Sequence, residues 1–281
     1  KKYLMNSNLA TRIVTGLTMA AVMLGCLYFS AFSLLAILLL ITFLGLAEFQ
    51  TLIQQYTFYE NKSDNKEKYI LAIVGSLVYL LISLASINFI EIKYVVLCIP
   101  IICGLFLKEL YAKTTQPYLR LAFNITGILY IAVPFALMNS IASYDGFYQP
   151  HRILGLWLLL WANDVMAYFA GRAFGKHPLF KRISPKKTWE GSIGGGISTL
   201  IVAAAFAYYF GDVFTTEMWI GAGLIAVFFG SWGDLVESLL KRSIGVKDSG
   251  TILPGHGGIL DRFDALLFAT PLIYTWIILA K

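Results

Sequence analysis

The chain has 281 residues, of which 58% are hydrophobic and 14% charged, and its formal net charge is +6. One soluble core cannot bury so much apolar surface, so the composition excludes a soluble globular domain and indicates a polytopic membrane protein. The basic excess does not call for a nucleic-acid partner, because basic residues on membrane proteins usually follow membrane orientation and anionic lipid headgroups.

Nine apolar stretches, each close to the ~20 residues that a helix needs to cross a bilayer, predict an all-α polytopic membrane protein. We divide it into residues 1–150, with about five transmembrane helices, and residues 151–281, which hold the polar motifs described below. The predicted helices lie at 12–29, 31–53, 69–87, 92–109, 119–141, 152–171, 192–210, 217–240 and 264–280.

Basic residues are distributed unevenly between alternate loops. If the N-terminus is cytoplasmic, all of the 22 Lys and Arg residues lie on the inside except Lys93, Arg152 and Lys281. The positive-inside rule therefore predicts an N-in, C-out topology. The last two inside loops, 172–191 and 241–263, are the most basic, so we expect the functional site to face the cytoplasm.

The sixth predicted helix carries the first polar motif, Asn163-Asp164-Val-Met-Ala-Tyr168. An unpaired carboxylate in a bilayer costs at least a few kcal/mol, so Asp164 is a functional candidate by default. Asp164 and Tyr168 share a helix face at i and i+4. The alternative is an interhelical hydrogen bond that only holds the bundle together.

The next motif, Ser184-Pro-Lys-Lys-Thr-Trp-Glu190-Gly, precedes the seventh predicted helix. Two ammonium groups and hydroxyls beside the positive end of a helix dipole suit a triphosphate. The alternative is a lysine pair that obeys the positive-inside rule, with Ser or Thr as a helix cap.

The eighth predicted helix ends in a polar stripe. Asp234, Glu237, Ser238 and Lys241 fall at i, i+3, i+4 and i+7, so one face presents two carboxylates, a hydroxyl and an ammonium group. A surface helix could show the same spacing as ordinary ion pairs. Here the stripe continues from an apolar span, where carboxylates need partners.

Two glycine-rich turns follow, Lys247-Asp-Ser-Gly250 and Pro254-Gly-His-Gly-Gly258, whose glycines let backbone N–H groups approach a ligand. Asp261 and Asp264 then lie one turn apart at the start of the ninth helix. With Asp234 nearby, they would form an oxygen-rich site of the kind that Mg2+ uses beside substrate phosphates. Carboxylates at a helix start can also simply be stabilised by the dipole.

The ordered runs S-x-x-K-R-x-x-x-x-K-D-x-G and P-G-H-G-G-x-x-D-R-x-D resemble the signature of the phosphatidate cytidylyltransferases. These integral membrane enzymes make CDP-diacylglycerol from CTP and phosphatidic acid. The resemblance implies a nucleotidyl transfer in which a phosphatidate oxygen attacks the α-phosphorus of CTP and pyrophosphate leaves. It is specific from Asn163 onward, and over residues 1–150 it rests on hydropathy.

The resemblance also implies roles for individual residues. Asp234, Asp261 and Asp264 would be Mg2+ ligands or ligand supports, with Asp164 as a further candidate. Catalytic or phosphate-holding roles fall on charged residues of the last loop, namely Lys241, Arg242, Lys247, Asp248, His256 and Arg262. Substrate-binding roles fall on Ser184, Lys186, Lys187, Thr188, Glu190 and Ser238.

Members of that family are similar in forming homodimers and in using a monovalent cation such as K+ beside Mg2+. The resemblance therefore implies the same for this chain, in a bacterial inner membrane, with CTP, phosphatidic acid and membrane lipids as partners and no nucleic acid. His256 would donate to a phosphate, act as an acid or brace its turn.

Two other functions are compatible with part of the sequence. The S-P-K-K-T-x-E-G element is shared with CTP-dependent polyprenol kinases, so a lipid-alcohol kinase is the runner-up. In an ion-coupled transporter, Asp164 and Asp234 would be ion-path residues. The long charged cytoplasmic motif fits a transporter poorly.

Overall fold

The structure is a computed structural model that describes the backbone of residues 2–55, 65–255 and 257–281, and the side chains of residues 12–55, 67–255 and 257–281. Within this part of the chain, nine helical spans are long and apolar enough to cross a membrane. They agree within a few residues with the nine spans predicted from hydropathy, and the predicted all-α fold is confirmed. The spans are Arg12–Phe29, Ala31–Ile53, Glu67–Ser86, Ile92–Tyr111, Pro117–Ala142, Pro150–Phe174, Trp189–Tyr209, Thr216–Ser243 and Leu260–Leu279.

Three of the spans are composite. The fourth opens with a 3-10 turn, Ile92–Leu97, and the fifth and eighth each contain a π-helical turn, Ile128–Ala132 and Ala226–Gly230. We number the α-helices α1 (Lys2–Phe29), α2 (Ala31–Ile53), α3 (Asn65–Ser86), α4 (Cys98–Tyr111), α5 (Pro117–Gly127), α6 (Val133–Ala142), α7 (Pro150–Phe174), α8 (Trp189–Tyr209), α9 (Thr216–Ile225), α10 (Ser231–Ser243) and α11 (Leu260–Leu279).

A short antiparallel hairpin precedes α8 in a segment that the sequence analysis treated as a loop. Its strands are β1 (Pro178–Phe180) and β2 (Ser184–Thr188). At the end of β2, the Thr188 hydroxyl accepts a hydrogen bond from the backbone N–H of Gly191 at 3.2 Å, so Thr188 is the N-cap of α8. The S-P-K-K-T motif is therefore an extended strand that leads directly into a helix.

The chain forms two compact units. The first unit is Lys1–Ser140 with Ile244–Arg262, and the second unit is Ile141–Ser243 with Phe263–Lys281. This division differs from the sequence-based boundary near residue 150. The turns between α10 and α11 belong with the N-terminal helices, and not with the rest of residues 151–281.

Buried polar groups connect the helices of the first unit. The Tyr79 hydroxyl of α3 donates to the Leu35 carbonyl of α2 at 2.8 Å. The Asn139 amide of α6 donates to the Tyr79 hydroxyl and to Ser83, at 2.9 and 3.1 Å. In an apolar surrounding, an unsatisfied polar group costs several kcal/mol, so these bonds fix which helix faces meet.

The first unit also contains a largely buried ion-pair group on α3, α4 and α5. The Lys108 ammonium lies 3.0 Å from carboxylate oxygens of both Glu67 and Glu109. Arg120 pairs with Glu67 and lies 3.6 Å from Glu109. Two cations thus balance two carboxylates, which is how charges persist at such low exposure.

In the second unit, Arg152 closes the turn between α6 and α7. Only 2% exposed, its guanidinium donates to both carboxylate oxygens of Asp145, at 2.9 and 2.5 Å. The rings of Tyr144 and Phe214 lie over it, with centroids 4.8 and 5.3 Å from its central carbon. These hydrogen bonds hold the pKa of the Asp145 carboxyl below its ordinary value.

Candidate active site

Three carboxylates from α10 and α11 come together in the second unit. Asp234, Glu237 and Asp264 each offer an oxygen atom, and these atoms lie within 4.8 Å of one another. We call these three residues the acidic cluster. Gly233 lets the two helices approach, because a Cβ atom there would come within 2.6 Å of the Asp264 carbonyl oxygen. Among the described side chains, these three carboxylates are close enough to one another to hold a metal ion together.

Two lysines partly neutralise the acidic cluster. The Lys187 ammonium lies 2.5 Å from an Asp234 oxygen, and the Lys241 ammonium lies 2.5 Å from a Glu237 oxygen. Lys187 also donates to the Ser231 carbonyl at 3.2 Å. Like charges at such distances repel by roughly 4 kcal/mol per pair at an effective dielectric constant of 20. The lysines therefore allow the carboxylates to stay together.

Two further predicted residues lie beside this group. The Ser238 hydroxyl donates to Asp234 at 3.3 Å. Asp164 is exposed on α7 and interacts electrostatically with Lys187 and Asp234. The structure thus brings Asp164, Lys187, Asp234, Ser238, Lys241 and Asp264 into one part of the second unit, although they come from separate motifs.

The two adjacent lysines of β2 have different surroundings. Lys187 is half-buried against Asp234, whereas Lys186 is exposed. Along β2, Pro185 and Lys186 are exposed, whereas Lys187 and Thr188 are half-buried. Of the two adjacent lysines of this motif, one therefore lies beside the acidic cluster and the other lies on the surface.

The acidic cluster has the donor set that a hard divalent cation prefers. Mg2+ takes oxygen ligands and usually binds through a few carboxylates while substrate or water completes its shell. Glu237 is only 1% exposed, so its carboxylate is held in place by the surrounding helices. These residues could hold Mg2+. Glu237 belongs to the polar stripe and was not among the metal ligands predicted from the sequence, although its i,i+3 spacing from Asp234 was a signal for that role.

Asp261, the other predicted metal ligand, has different partners. It belongs to the first unit, where one carboxylate oxygen accepts hydrogen bonds from the backbone N–H groups of Ser249 and Gly258, both at 2.9 Å. The Asp261 N–H in turn donates to the Ser249 hydroxyl at 3.3 Å. In the structure, Asp261 connects the two glycine-rich turns to the start of α11.

These turns present several predicted phosphate-binding side chains. Lys247, Asp248 and Arg262 are exposed in the first unit, and Arg242 is exposed in the second. Gly255 and Gly257 have φ values of +75° and +87°, a conformation that side chains rarely adopt. His256, which the sequence analysis considered as a donor or acid, lies outside the described residues.

The remaining predicted substrate-binding residues support the hairpin. One Glu190 oxygen accepts from the backbone N–H groups of Lys176 and His177, at 3.1 and 3.2 Å, and the other lies 2.6 Å from the His177 ring nitrogen. Thr188 caps α8, and Ser184 is half-buried at the start of β2. In the structure, Glu190 and Thr188 bond to other parts of the protein. The roles of these residues toward a substrate stay predictions.

Comparison with known proteins gives one family. The model of the family described as "Cytidylyltransferase family" matches residues 10–280. The chain is 42% identical over 193 residues to a phosphatidate cytidylyltransferase of Staphylococcus aureus (strain COL), an alignment that covers 68% of this chain and 66% of the relative. It is 38% identical over 161 residues to a phosphatidate cytidylyltransferase of Haemophilus influenzae, covering 56% of each chain. The matched part of the chain thus spans 66% and 56% of the lengths of these two curated relatives, less than two thirds in each case.

Proposed function

The chain belongs to the cytidylyltransferase family, and we propose that it transfers the cytidylyl group of CTP to phosphatidic acid, giving CDP-diacylglycerol and pyrophosphate. The observation that carries this proposal is the acidic cluster on two membrane-spanning helices with Lys187 of the S-P-K-K-T strand paired to it. This arrangement combines oxygen ligands for a metal with a cation for a phosphate. The names of the relatives support the same reaction.

We propose that Asp234, Glu237 and Asp264 hold Mg2+. When bound, the ion would neutralise negative charge on the phosphates of the nucleotide. The Lys187 ammonium, which lies beside Asp234, would be placed to contact a phosphate oxygen of the same nucleotide. Asp164 would add negative charge beside the same residues.

The reaction needs positioning more than it needs a nucleophilic side chain. A phosphate oxygen of phosphatidic acid forms a bond to the α-phosphorus of CTP. The bond from that phosphorus to the oxygen bridging to the β-phosphorus breaks, and pyrophosphate leaves with the electron pair. The attacking oxygen is already an anion, so no Ser, Cys or His nucleophile is required. The protein has to hold two repelling phosphate groups and stabilise the developing charge.

Exposed Lys and Arg side chains would provide further contacts to the phosphate groups. We assign phosphate contacts to Arg242, Lys247 and Arg262, since charge-assisted hydrogen bonds from Arg and Lys are the stronger kind. Asp248 would orient Lys247, its neighbour in sequence. We further propose that these residues face the cytoplasm of a bacterial inner membrane, and the homodimer and the K+ site implied by the family signature belong to the same proposal.

A label-transfer assay on the purified chain tests the reaction. CTP labelled in its α-phosphate should deliver label to the lipid when phosphatidic acid is the acceptor, and pyrophosphate should be released in equal amount. CTP labelled in its γ-phosphate should leave the lipid unlabelled. Label that reaches lipid only from the γ position, and only with a polyprenol acceptor, would instead identify a lipid-alcohol kinase.

A further inference from the structure

A carboxylate on the second helix, Glu48 of α2, is bonded to the turns between α10 and α11. It is 5% exposed. One of its oxygens accepts from the Ser249 hydroxyl at 2.5 Å and from the Leu260 N–H at 3.0 Å. The other accepts from the Ile259 N–H at 2.9 Å. All four residues belong to the first unit.

Glu48 acts as the N-terminal cap of α11. The first N–H groups of a helix have no partner within the helix, and a Ser, Thr, Asp or Asn just before the helix usually accepts from them. Here the residues before Leu260 are Gly258 and Ile259, which have no acceptor in their side chains. The carboxylate of another helix takes that place, and its negative charge also suits the positive end of the α11 dipole.

Ser249 extends the contact into the Lys247–Gly250 turn. It is 6% exposed, donates its hydroxyl hydrogen to Glu48, and accepts from the Asp261 N–H. Its own N–H donates to the Asp261 carboxylate at 2.9 Å. The carboxylates of Glu48 and Asp261 and the hydroxyl of Ser249 thus hold the Lys247–Gly250 turn against the start of α11.

Two glycines make room for Glu48. A Cβ atom on Gly258 would overlap with a Glu48 oxygen and with the Ser249 hydroxyl, and one on Gly250 would come within 2.6 Å of the other Glu48 oxygen. The glycines of the two turns are therefore required on steric grounds by this carboxylate. That requirement is separate from any approach of the backbone to a ligand.

We propose that Glu48 is a positioning residue for the phosphate-binding segment of this enzyme. A buried carboxylate in a membrane span is expensive unless it is well hydrogen-bonded, and the groups that satisfy it are those that fix the backbone beside Lys247 and Arg262. Glu48 sets the positions of these two cations without touching the substrate. This inference rests on the proposed function, in which both cations hold phosphate.

The test compares Glu48→Gln with Glu109→Gln in the purified full-length chain. Glutamine keeps the size of the side chain but has one accepting oxygen, so at least one of the three bonds is lost. Glu109 is an equally buried carboxylate of the first unit, at 5% exposure, and its partners are Lys108 and Arg120. E109Q therefore controls for the removal of a buried charge as such.

Two measurements are made on each variant. Amide hydrogen exchange over residues 247–262 should become about tenfold faster in E48Q, as expected from the loss of one hydrogen bond, and stay unchanged in E109Q. The dissociation constant for labelled CTP, measured by equilibrium dialysis, should rise about tenfold in E48Q and less than twofold in E109Q. If E48Q does not fold, Ser249→Ala removes the hydroxyl of the same network and should shift both quantities in the same direction.

Unchanged exchange over residues 247–262 in E48Q would overturn the inference, and so would faster exchange with unchanged CTP affinity. Equal effects of E48Q and E109Q would also overturn it. If the wild-type chain binds CTP but forms no CDP-diacylglycerol, the proposed reaction fails, and the two measurements still decide whether Glu48 positions the nucleotide-binding segment.

Discussion

The ammonium group of Lys187 lies 2.5 Å from a carboxylate oxygen of Asp234. This ion pair joins the strand of the S-P-K-K-T motif to the polar stripe of α10, two motifs that are far apart in the sequence. Lys186, the neighbour of Lys187, is exposed, so the two lysines have different surroundings. The contact with Asp234 is our reason for proposing that Lys187, and not Lys186, acts beside the acidic cluster.

We predict that Lys187→Met lowers turnover about 10- to 100-fold, the range expected for loss of one charge-assisted hydrogen bond, while Lys186→Met lowers it less than threefold. Initial rates at saturating CTP and phosphatidate measure both. Because both residues lie on the same strand, K186M is the matched control. Equal losses in the two variants would contradict the assignment.

The metal proposal predicts a shift in the Mg2+ requirement. Asp264→Asn and Glu237→Gln should each raise the Mg2+ concentration for half-maximal activity at least tenfold, because each removes one anionic ligand. A chelator should abolish the activity of the wild-type chain, and added Mg2+ should restore it.

Asp261→Asn distinguishes a metal ligand from a support of the turns. The Asp261 carboxylate accepts from Ser249 and Gly258, so we expect its loss to speed amide exchange over residues 247–262 and to leave the Mg2+ midpoint within twofold of wild type. A tenfold shift of the midpoint in D261N would instead make Asp261 a ligand.

Gly258→Ala should weaken the fold of the first unit. The added methyl group would overlap with Glu48 and Ser249, and overpacking of this kind costs about 1–3 kcal/mol. Thermal unfolding in detergent should show a lower midpoint. Equilibrium dialysis should show weaker CTP binding. Gly104→Ala in α4 is the control, since a Cβ atom there meets nothing within 4 Å. An unchanged midpoint in G258A would contradict the close approach of Glu48.

The hydrogen bonds from Arg152 to the Asp145 carboxylate predict that the stability of the fold depends on pH. The pKa of Asp145 is held below its ordinary value of 3.8 by its hydrogen bonds to Arg152. The ionised carboxylate therefore stabilises the folded state above that value, and this contribution is lost as the pH falls through the lower folded value. Asp145→Asn should lower the unfolding temperature at pH 7, and the difference from wild type should shrink toward pH 3. Asp212→Asn, at an exposed site of the same unit, is the control for removing a carboxylate of that unit.

The topology predicted from the basic residues is tested by cysteine labelling. In a chain that lacks Cys26, Cys98 and Cys103, new cysteines at Lys113 and Lys181 should react only from the cytoplasmic side, and one at Tyr148 only from the opposite side. A membrane-impermeant thiol reagent on oriented vesicles measures this. Labelling of position 181 from the outside would place the S-P-K-K-T strand on the side of the membrane without CTP.

The nine spans were predictable from the sequence because each is an apolar run long enough to cross a bilayer. Which of Lys186 and Lys187 contacts Asp234 was not predictable, since the contact depends on a short strand where a loop was expected. Glu48 was missed although a lone carboxylate in an apolar span is itself a signal of function. Its partner Ser249 lies 201 residues further along the chain, and no local pattern reports a contact over that distance.

Asp261 and Asp264 show a second limit. Their spacing of one helical turn predicted a shared role, and the helix was predicted correctly. Their hydrogen-bonding partners nevertheless differ, because Asp261 turns to backbone N–H groups of the glycine-rich turns, whereas Asp264 joins Asp234 and Glu237. Helical periodicity gives relative directions along one helix and does not give the identity of the groups that pack beside each residue.

The Glu48 contact has a consequence for the biogenesis of the protein. At about 5–20 residues per second, translation takes roughly 10–40 s to pass from Glu48 to Ser249, which follows it by 201 residues. Throughout that interval, the Glu48 carboxylate lacks the donors that it has in the finished chain, which belong to Ser249, Ile259 and Leu260. It must be hydrated or covered by the insertion machinery until the segment from Ser249 to Leu260 has been synthesised. Ribosome-stalled chains that end before Ser249 should therefore hold α2 less firmly in the membrane than the complete chain does.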